Sequence, residues 1–555
     1  MKSQIANLLS KYISIEKKQI ENLIEIPPSQ EMGDFAFPCF ALAKEFKKNP
    51  LEIAKEISQK IKTKEFEIKS SGPYINFFLN RRKFALGLIE KIKKEKKNFG
   101  KNNLGKGKII TIDMSSPNIA KPIGIGHLRS TIIGNSISEI AKFNGYKTIK
   151  INYLGDWGTQ FGKLIVGYKR WGKEKELKKN PIKHMLELYV KANAEEYEQE
   201  ARDWFKKLEE KNLEAIKIWK MFKEFSLKEF DEIYKTLGIN FDVISGESFY
   251  NNKMENTIKE LENKKLLEKN QGALIVDLKK YNLGACLIKK SDGATLYATR
   301  DITAAIDRYK KYKFDKMIYE VGQEQKLHFQ QFFKVLDLMG YNFAKNCIHV
   351  YHGLYLDSDG KKFATRKGKT VFMKEILDET IESAKKGILQ RDKNLNKKEI
   401  DKRARKIAIA AIFYGDLKNN KVNDIVFNID KFLDFEGDTG PYLLYSYARA
   451  SSILRKSKPN KNSKIKINSL EEKEIELIKK ISEFPEIVLN AYKNLNPSVI
   501  ANYSYQLAQI FSEFYHTCPV IGDEKENFRL ELVKSFRQVL KNSLGLLGIE
   551  TMEEM

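Results

Sequence analysis

Residues 109–153 restrict the fold more than any other part of the chain. The β-branched run Ile109-Ile110-Thr111-Ile112 leads into a turn-rich Ser115-Ser116-Pro117-Asn118, then a helical pattern from about Gly126 to Phe143 and a second strand pattern from Thr148 to Tyr153. Strand, helix and strand in that order form a βαβ unit, whose two strands run parallel in a sheet covered on both faces. Strand patterns at Met317–Val321 and Cys347–Tyr351, on either side of a helix over Lys326–Met339, resume the alternation. Between the βαβ unit and these strands, from about Lys169 to Leu237, Trp204, Phe205, Leu208, Ile218, Trp219, Phe222 and Phe225 recur at helical spacing, which predicts an α-helical insertion in a sheet discontinuous in sequence.

The flanks read differently. Met1 to Ile20 has the pattern of a short amphipathic helix, Leu51–Ile61 is helical, and Tyr74-Ile75-Asn76-Phe77-Phe78-Leu79 is strand-like. A lysine-rich stretch, Lys91–Lys106, closes this first part. From Lys374 onward nearly everything has helical period, broken at Gly437–Pro441 and Lys456–Lys466, which predicts a terminal helix bundle. With 42% hydrophobic and 31% charged residues in 555, the chain has enough apolar side chains for several cores, which excludes a disordered or fibrous protein. A net charge of +26 favours a polyanionic partner such as nucleic acid. Cys39, Cys286, Cys347 and Cys518 are too scattered for a disulfide framework, so a reducing compartment, the cytoplasm, is expected. No run approaches the length of a membrane span, and no membrane partner is expected.

The chemistry points to the first βαβ turn. In Gly124-Ile125-Gly126-His127-Leu128-Arg129-Ser130, glycines open a helix after a strand, which lets backbone amides and the helix dipole approach phosphate. A dinucleotide fingerprint needs a small residue where Arg129 stands, so a dehydrogenase is disfavoured. His127 taken alone reads more readily as a capping or buried histidine than as a phosphate donor. Cys347, His349 and His352 do not make a metal site, because on a strand 347 and 349 share a face that 352 leaves. From the residues alone, the chain is a basic multidomain nucleotide-binding enzyme or RNA binder.

Ser115-Ser116-Pro117-Asn118-Ile119-Ala120-Lys121-Pro122 before the glycines and Tyr153-Leu154-Gly155-Asp156-Trp157-Gly158-Thr159-Gln160-Phe161-Gly162 after the second strand resemble the active-site block of arginyl-tRNA synthetases. The likeness continues in Gly33-Asp34-Phe35-Ala36, Gly72-Pro73-Tyr74-Ile75-Asn76-Phe77, Gly246-Glu247-Ser248-Phe249-Tyr250, Phe435-Glu436-Gly437-Asp438-Thr439-Gly440-Pro441-Tyr442 and Leu546-Leu547-Gly548-Ile549. It implies a multidomain α/β protein. An N-terminal α+β tRNA-binding module spans 1–104, a class I Rossmann-like catalytic domain with the helical insertion spans 105–433, and an α-helical anticodon-binding bundle spans 434–555. It also implies a monomer that joins L-arginine to tRNA(Arg) with ATP and its Mg2+.

The resemblance assigns roles residue by residue. The family's His-x-Gly-His loop has Gly124 in place of its first histidine, with Gly126 and His127 at the other positions. Lys362-Phe363-Ala364-Thr365-Arg366-Lys367-Gly368 is similar to the second signature, with Thr365 in place of its second lysine, for which Lys121 substitutes. His127, Lys121, Lys362 and Arg366 are thus expected to act on the phosphates, and Gly124, Gly126 and Phe363 to line the ATP site. Arginine is expected to meet Asp113, Asn118, Tyr297, Asp301 and Gln325, with His328 nearby. Tyr297 and Asp301 share a face if helical, although Asp301 reads equally as an N-terminal charge on a helix from Ile302 to Lys311. For tRNA the resemblance implies Asn76, Phe77 and Phe78 in the first module, and Tyr442, Tyr445, Arg449 and Met555 in the last. Two alternatives stand beside this reading: another class I synthetase, and a catalytically impaired synthetase-like tRNA-binding protein, suggested by Gly124.

Overall fold

Short alternating runs near the N-terminus pair into an antiparallel sheet, in which β1 (Phe35–Pro38), β2 (Phe66–Ser71) and β3 (Tyr74–Leu79) lie in the order β1-β3-β2. The coordinates are a computed structural model that describes every residue except 292–296, 358, 362–370, 393, 458–466 and 468, and Gln30 by its backbone only. The chain divides into two compact units: Met1–Lys96 with Ser457–Ser482 and Glu513–Ser535, and Lys97–Lys456 with Glu483–Ser512 and Phe536–Met555.

In the first unit, helix Pro50–Lys60 starts where the Asn49 side chain accepts from Leu51 N, and it buries Ile53, Ala54 and Ile57 in a core shared with Phe37, Ile75 and Phe77. The amphipathic pattern over Met1–Ile20 resolves into two helices, Lys2–Leu9 and Lys17–Leu23, rather than one. Asp34 is buried there. It accepts from Leu79 N at 2.9 Å and pairs with Lys479 at 2.6 Å, which fixes the turn before β1 against the end of β3.

The second unit carries β4 (Ile109–Asp113), β5 (Lys147–Leu154), β6 (Val243–Gly246), the small antiparallel trio β7 (Glu268–Asn270), β8 (Ala273–Asp277) and β9 (Ala285–Lys289), then β10 (Lys316–Gly322) and β11 (Cys347–His352). Five of these form one parallel sheet in the order β11-β10-β4-β5-β6. The chain steps outward on one side from β4 to β6, then crosses to the other side for β10 and β11. Between β4 and β10 lies the topological switch point, beyond whose strand ends such sheets bind ligands. Helix Gly126–Phe143 follows β4, as the sequence predicts. Helices Tyr297–Tyr312 and Lys326–Leu338 pack Ile302, Ala305, Phe332 and Leu336 with Ile151 and Met317 in a second core. The insertion is helical, ending in Leu213–Leu237, and helices Gly440–Lys456, Glu472–Lys493, Ser498–Thr517 and Glu526–Leu546 follow in the last part of the chain. No described helix is long and apolar enough to cross a membrane.

Candidate active site

The loop from Met114 to Ala120, at the end of β4, is held in an uncommon shape. Ser115, Ser116 and Ala120 have φ of 71°, 49° and 60°, each costing about 1–3 kcal/mol unless surrounding contacts hold it. Those contacts are present. Ser115 Oγ shares a hydrogen bond of 2.7 Å with Tyr234 Oη, Ser116 N donates to Asn152 Oδ1, and Ala120 N donates to Ser226 Oγ at 2.8 Å. Tyr234 and Ser226 belong to the insertion helix Leu213–Leu237, so the insertion braces the loop. Gly155 closes it from the next strand, bridging Asn118 so tightly that a Cβ there would lie 1.8 Å from Asn118 Oδ1.

His127 sits in the first turn of the helix that opens at Gly126, where no acidic side chain stands. Its Nδ1–H donates to Ser115 O at 2.8 Å, so in the neutral ring Nε2 carries the lone pair. Burial lowers its pKa below the ordinary histidine value; the Ser115 carbonyl opposes that and His352 adds to it. Gly124 O accepts from His127 N, and Gly124 bridges Phe372. Lys121, partly buried, places Nζ 4.7 Å from the centre of the Tyr189 ring, and no carboxylate among the described residues pairs with it. A helix N-terminus, a histidine and an unpaired lysine together suit a polyphosphate. Lys362, Phe363 and Arg366 lie outside the described residues.

The carboxylates assigned to arginine already have internal partners. Asp113, at the end of β4, pairs through Oδ2 with Arg308 Nη1 at 2.7 Å and accepts from Ser116 Oγ. Asp301 Oδ2 accepts from His328 Nε2 at 2.7 Å. The helix begins at Tyr297, not Ile302, so Asp301 stands in its second turn rather than at its end. Tyr297, 62% exposed, lies one turn before it, and Gln325 is exposed in the turn that follows β10. Asn118 is exposed as well.

Several residues here had no role assigned from the sequence, although Tyr153 and Glu247 lie in its family-like blocks. Arg308 lies among lysines in Asp307-Arg308-Tyr309-Lys310-Lys311, yet it is buried between the rings of Tyr153 and Tyr319. The hydroxyls of both tyrosines are buried without a hydrogen-bond partner among the described residues. Glu247, beside Arg300, has its pKa pushed up to about 7 by burial, against the pull of Arg300 and with help from Asp301 and Asp156.

Sequence families account for nearly all of this. Residues 88–429 match the model of tRNA synthetases class I (R), catalytic domain; residues 443–555 match the DALR anticodon binding domain; residues 1–79 match the arginyl tRNA synthetase N terminal domain. The chain belongs to the arginyl-tRNA synthetase family. It is 46% identical to an arginine–tRNA ligase of Clostridium perfringens, with all of both chains covered. Among solved structures, the arginyl-tRNA synthetase of Plasmodium falciparum has 27% identity and a TM-score of 0.80, covering 100% of this chain and 98% of that one. The Thermus thermophilus arginyl-tRNA synthetase, at 23% identity and TM-score 0.82, covers 100% and 99% and shares the fold.

The residues assigned to tRNA separate by exposure. Phe77 is 0% exposed in the core of the first unit and Asn76 is 4% exposed, so the expectation that they meet RNA directly is corrected: alternation along β3 turns Phe77 into the core with Ile75, and Asn76, on the opposite face, is covered as well. Phe78 is partly exposed under Lys69, 5.0 Å from its ring centre. In the second unit, Tyr445 is exposed on helix Gly440–Lys456 and accepts from Arg449 Nη2 at 3.1 Å. Tyr442 packs edge-on against Tyr505, and Met555 is partly exposed.

Proposed function

We propose that this arginyl-tRNA synthetase acts as an arginine–tRNA ligase. It would activate L-arginine with ATP to arginyl-adenylate, release pyrophosphate, and pass the arginyl group to the 2′-hydroxyl of the terminal adenosine of tRNA(Arg). The observation that carries this reading is the full-length identity to an arginine–tRNA ligase. The functional domains would run over 1–104, 105–433 and 434–555, in a cytoplasmic monomer.

In the first step the arginine carboxylate attacks the α-phosphate and negative charge grows on that phosphate and on the departing pyrophosphate. Preorganised donors aimed at such charge each supply about 3–4 kcal/mol. The amides at Gly126, the His127 ring and Lys121 fill that role, with Gly124 leaving room for the nucleotide. Lys362, Phe363 and Arg366 complete the ATP site. Mg2+ would arrive bound to ATP. The substrate guanidinium takes Asp301 from His328, flanked by Tyr297, while Asp113, Asn118 and Gln325 hold the remaining polar groups. Phe78, Tyr442, Tyr445, Arg449 and Met555 remain the residues through which tRNA is engaged.

Arginine-dependent ATP–pyrophosphate exchange, with and without tRNA, tests the reading. Exchange followed by charging of tRNA with arginine supports it. Tight tRNA binding with no exchange would establish the silent tRNA-binding protein. Asp301→Asn should raise the arginine KM by about tenfold or more, as expected for losing a charge-assisted contact, while the ATP KM stays within a factor of about two. Unchanged arginine kinetics would remove Asp301 from the substrate site.

A further inference from the structure

Lys150 stands in the second strand of the parallel sheet, a position where charge is costly. It is 8% exposed, and its ammonium, which has three donors, makes one hydrogen bond among the described residues, to Asn135 Oδ1 at 3.1 Å. The side chain borders a cavity of about 790 Å³ whose lining includes none of the residues assigned above to ATP or arginine. That volume is within the range of small-molecule sites.

Charge on the cavity wall is unbalanced. Lys142, Lys150, Lys402, Arg405 and Lys406 line it, against Glu139, Asp401 and Glu550. Each of the three acids already has a cation: Glu139 pairs with Lys142 at 2.8 Å, Glu550 with Lys406 at 3.2 Å, and Asp401 with Lys385 at 3.0 Å. Arg405 donates to the carbonyls of Lys235 and Thr236, which offsets the negative end of the insertion helix where it reaches the cavity. Lys150 therefore stands as surplus positive charge beside Arg405, and the exposed Lys402, whose carboxylate partner Glu399 is 3.8 Å away, adds to it. Burial, and then Lys142, push the Lys150 pKa below the ordinary lysine value, so an anion placed there would favour its charged form.

We propose that this cavity is a second anion site, separate from the nucleotide crevice, that takes a phosphate group, either free or carried on an RNA backbone, with Lys150 at its base. The chemistry fits. A phosphate oxygen accepts from several donors at once, and it would supply the acceptors that the Lys150 ammonium lacks.

The test uses full-length protein with its nucleotide site saturated by AMP. Inorganic phosphate is titrated by calorimetry against chloride at matched ionic strength, for the wild type, Lys150→Met and Lys402→Gln. Tight tRNA binding is measured in parallel as a function of salt. A free-phosphate site predicts wild-type binding that weakens by about tenfold or more in K150M and measurably in K402Q, with ATP–pyrophosphate exchange in phosphate-free buffer within a factor of about two of wild type. An RNA-backbone site predicts instead that each variant lowers the slope of log affinity against log salt by about one. Because Lys402 is exposed, K402Q gives an answer even if K150M does not fold. Phosphate affinity and salt slope both unchanged in K402Q and in folded K150M would overturn the site.

Discussion

Replacing His127 separates a phosphate donor from a merely structural histidine, because the structure fixes its tautomer. Nδ1–H is committed to the Ser115 carbonyl at 2.8 Å, so Nε2 can donate to a phosphate only when the ring is charged. Burial keeps the free ring neutral to a pH below the ordinary value of about 6.5. ATP binding must then be accompanied by proton uptake at His127. Linkage gives the sign: between the free and bound pKa values, the affinity for ATP falls as pH rises, by up to about tenfold per pH unit. The assay is ATP–pyrophosphate exchange from about pH 6 to about pH 8, the range in which a histidine charge changes. His127→Ala should lower exchange by about 10²-fold or more, as expected for a lost transition-state donor. It should also flatten the pH dependence of the ATP KM. His127→Gln, which offers a donor that does not titrate, should flatten that dependence while recovering part of the rate. A variant with normal exchange, or a glutamine variant with the wild-type slope, would refute the argument. The same burial has a stability consequence: the unfolded chain takes the extra proton first, so His127 erodes stability as pH falls below about 6.5.

Two further outcomes follow from buried charge. Arg129 is fully buried, donates through Nε to Asp416 Oδ2 at 3.1 Å and through Nη1 to Asn423 O at 2.9 Å, while Tyr355 also donates to Asp416. Arg129→Met leaves Asp416 buried without its cation and should cost about 3–5 kcal/mol in urea unfolding. A loss under about 1 kcal/mol would show that the pair is solvated. Glu247, with its pKa pushed up to about 7, is partly protonated at neutral pH. A bound guanidinium at neighbouring Asp301 lowers that pKa, so arginine binding at neutral pH should release a fraction of a proton. Calorimetry in buffers of different ionisation enthalpy reads it, and Glu247→Gln should abolish it. A release that persists in E247Q assigns the proton elsewhere.

The strand and helix patterns were legible because each repeats over several residues: Gly126–Phe143 and Tyr74–Leu79 begin and end where periodicity places them. Met1–Ile20 was not, because an amphipathic pattern continues across the gap between two short helices. Asn76 and Phe77 show a different limit. Their block marks the family, and a block records constraint without recording whether packing or binding imposes it. Arg308 and Lys150 were invisible for a third reason. In a chain with 99 lysines and arginines, one buried cation has no local signature, and only the fold distinguishes it from the solvated majority.

The blocks that carry the family likeness are, in the structure, largely one another's partners. Gly155 fits against Asn118 of the preceding block. Asp156, next to it, accepts from the backbone and the hydroxyl of Ser248 in a third block and pairs with Lys223 of the insertion helix at 2.6 Å. Gly440 opens its helix where a Cβ would lie 2.0 Å from Ala410 O, and Asp438 accepts from Tyr414. Leu546 O accepts from Ser136, on the glycine helix itself. A loop with three residues at positive φ keeps its shape only if such contacts over-determine it, since the strain of a few kcal/mol must be offset elsewhere. Segments more than a hundred residues apart, such as Ser115 and Tyr234, are therefore constrained jointly. The likeness extends along the chain because the loop before the glycine helix is supported from the insertion, and that helix is packed from the carboxyl-terminal end.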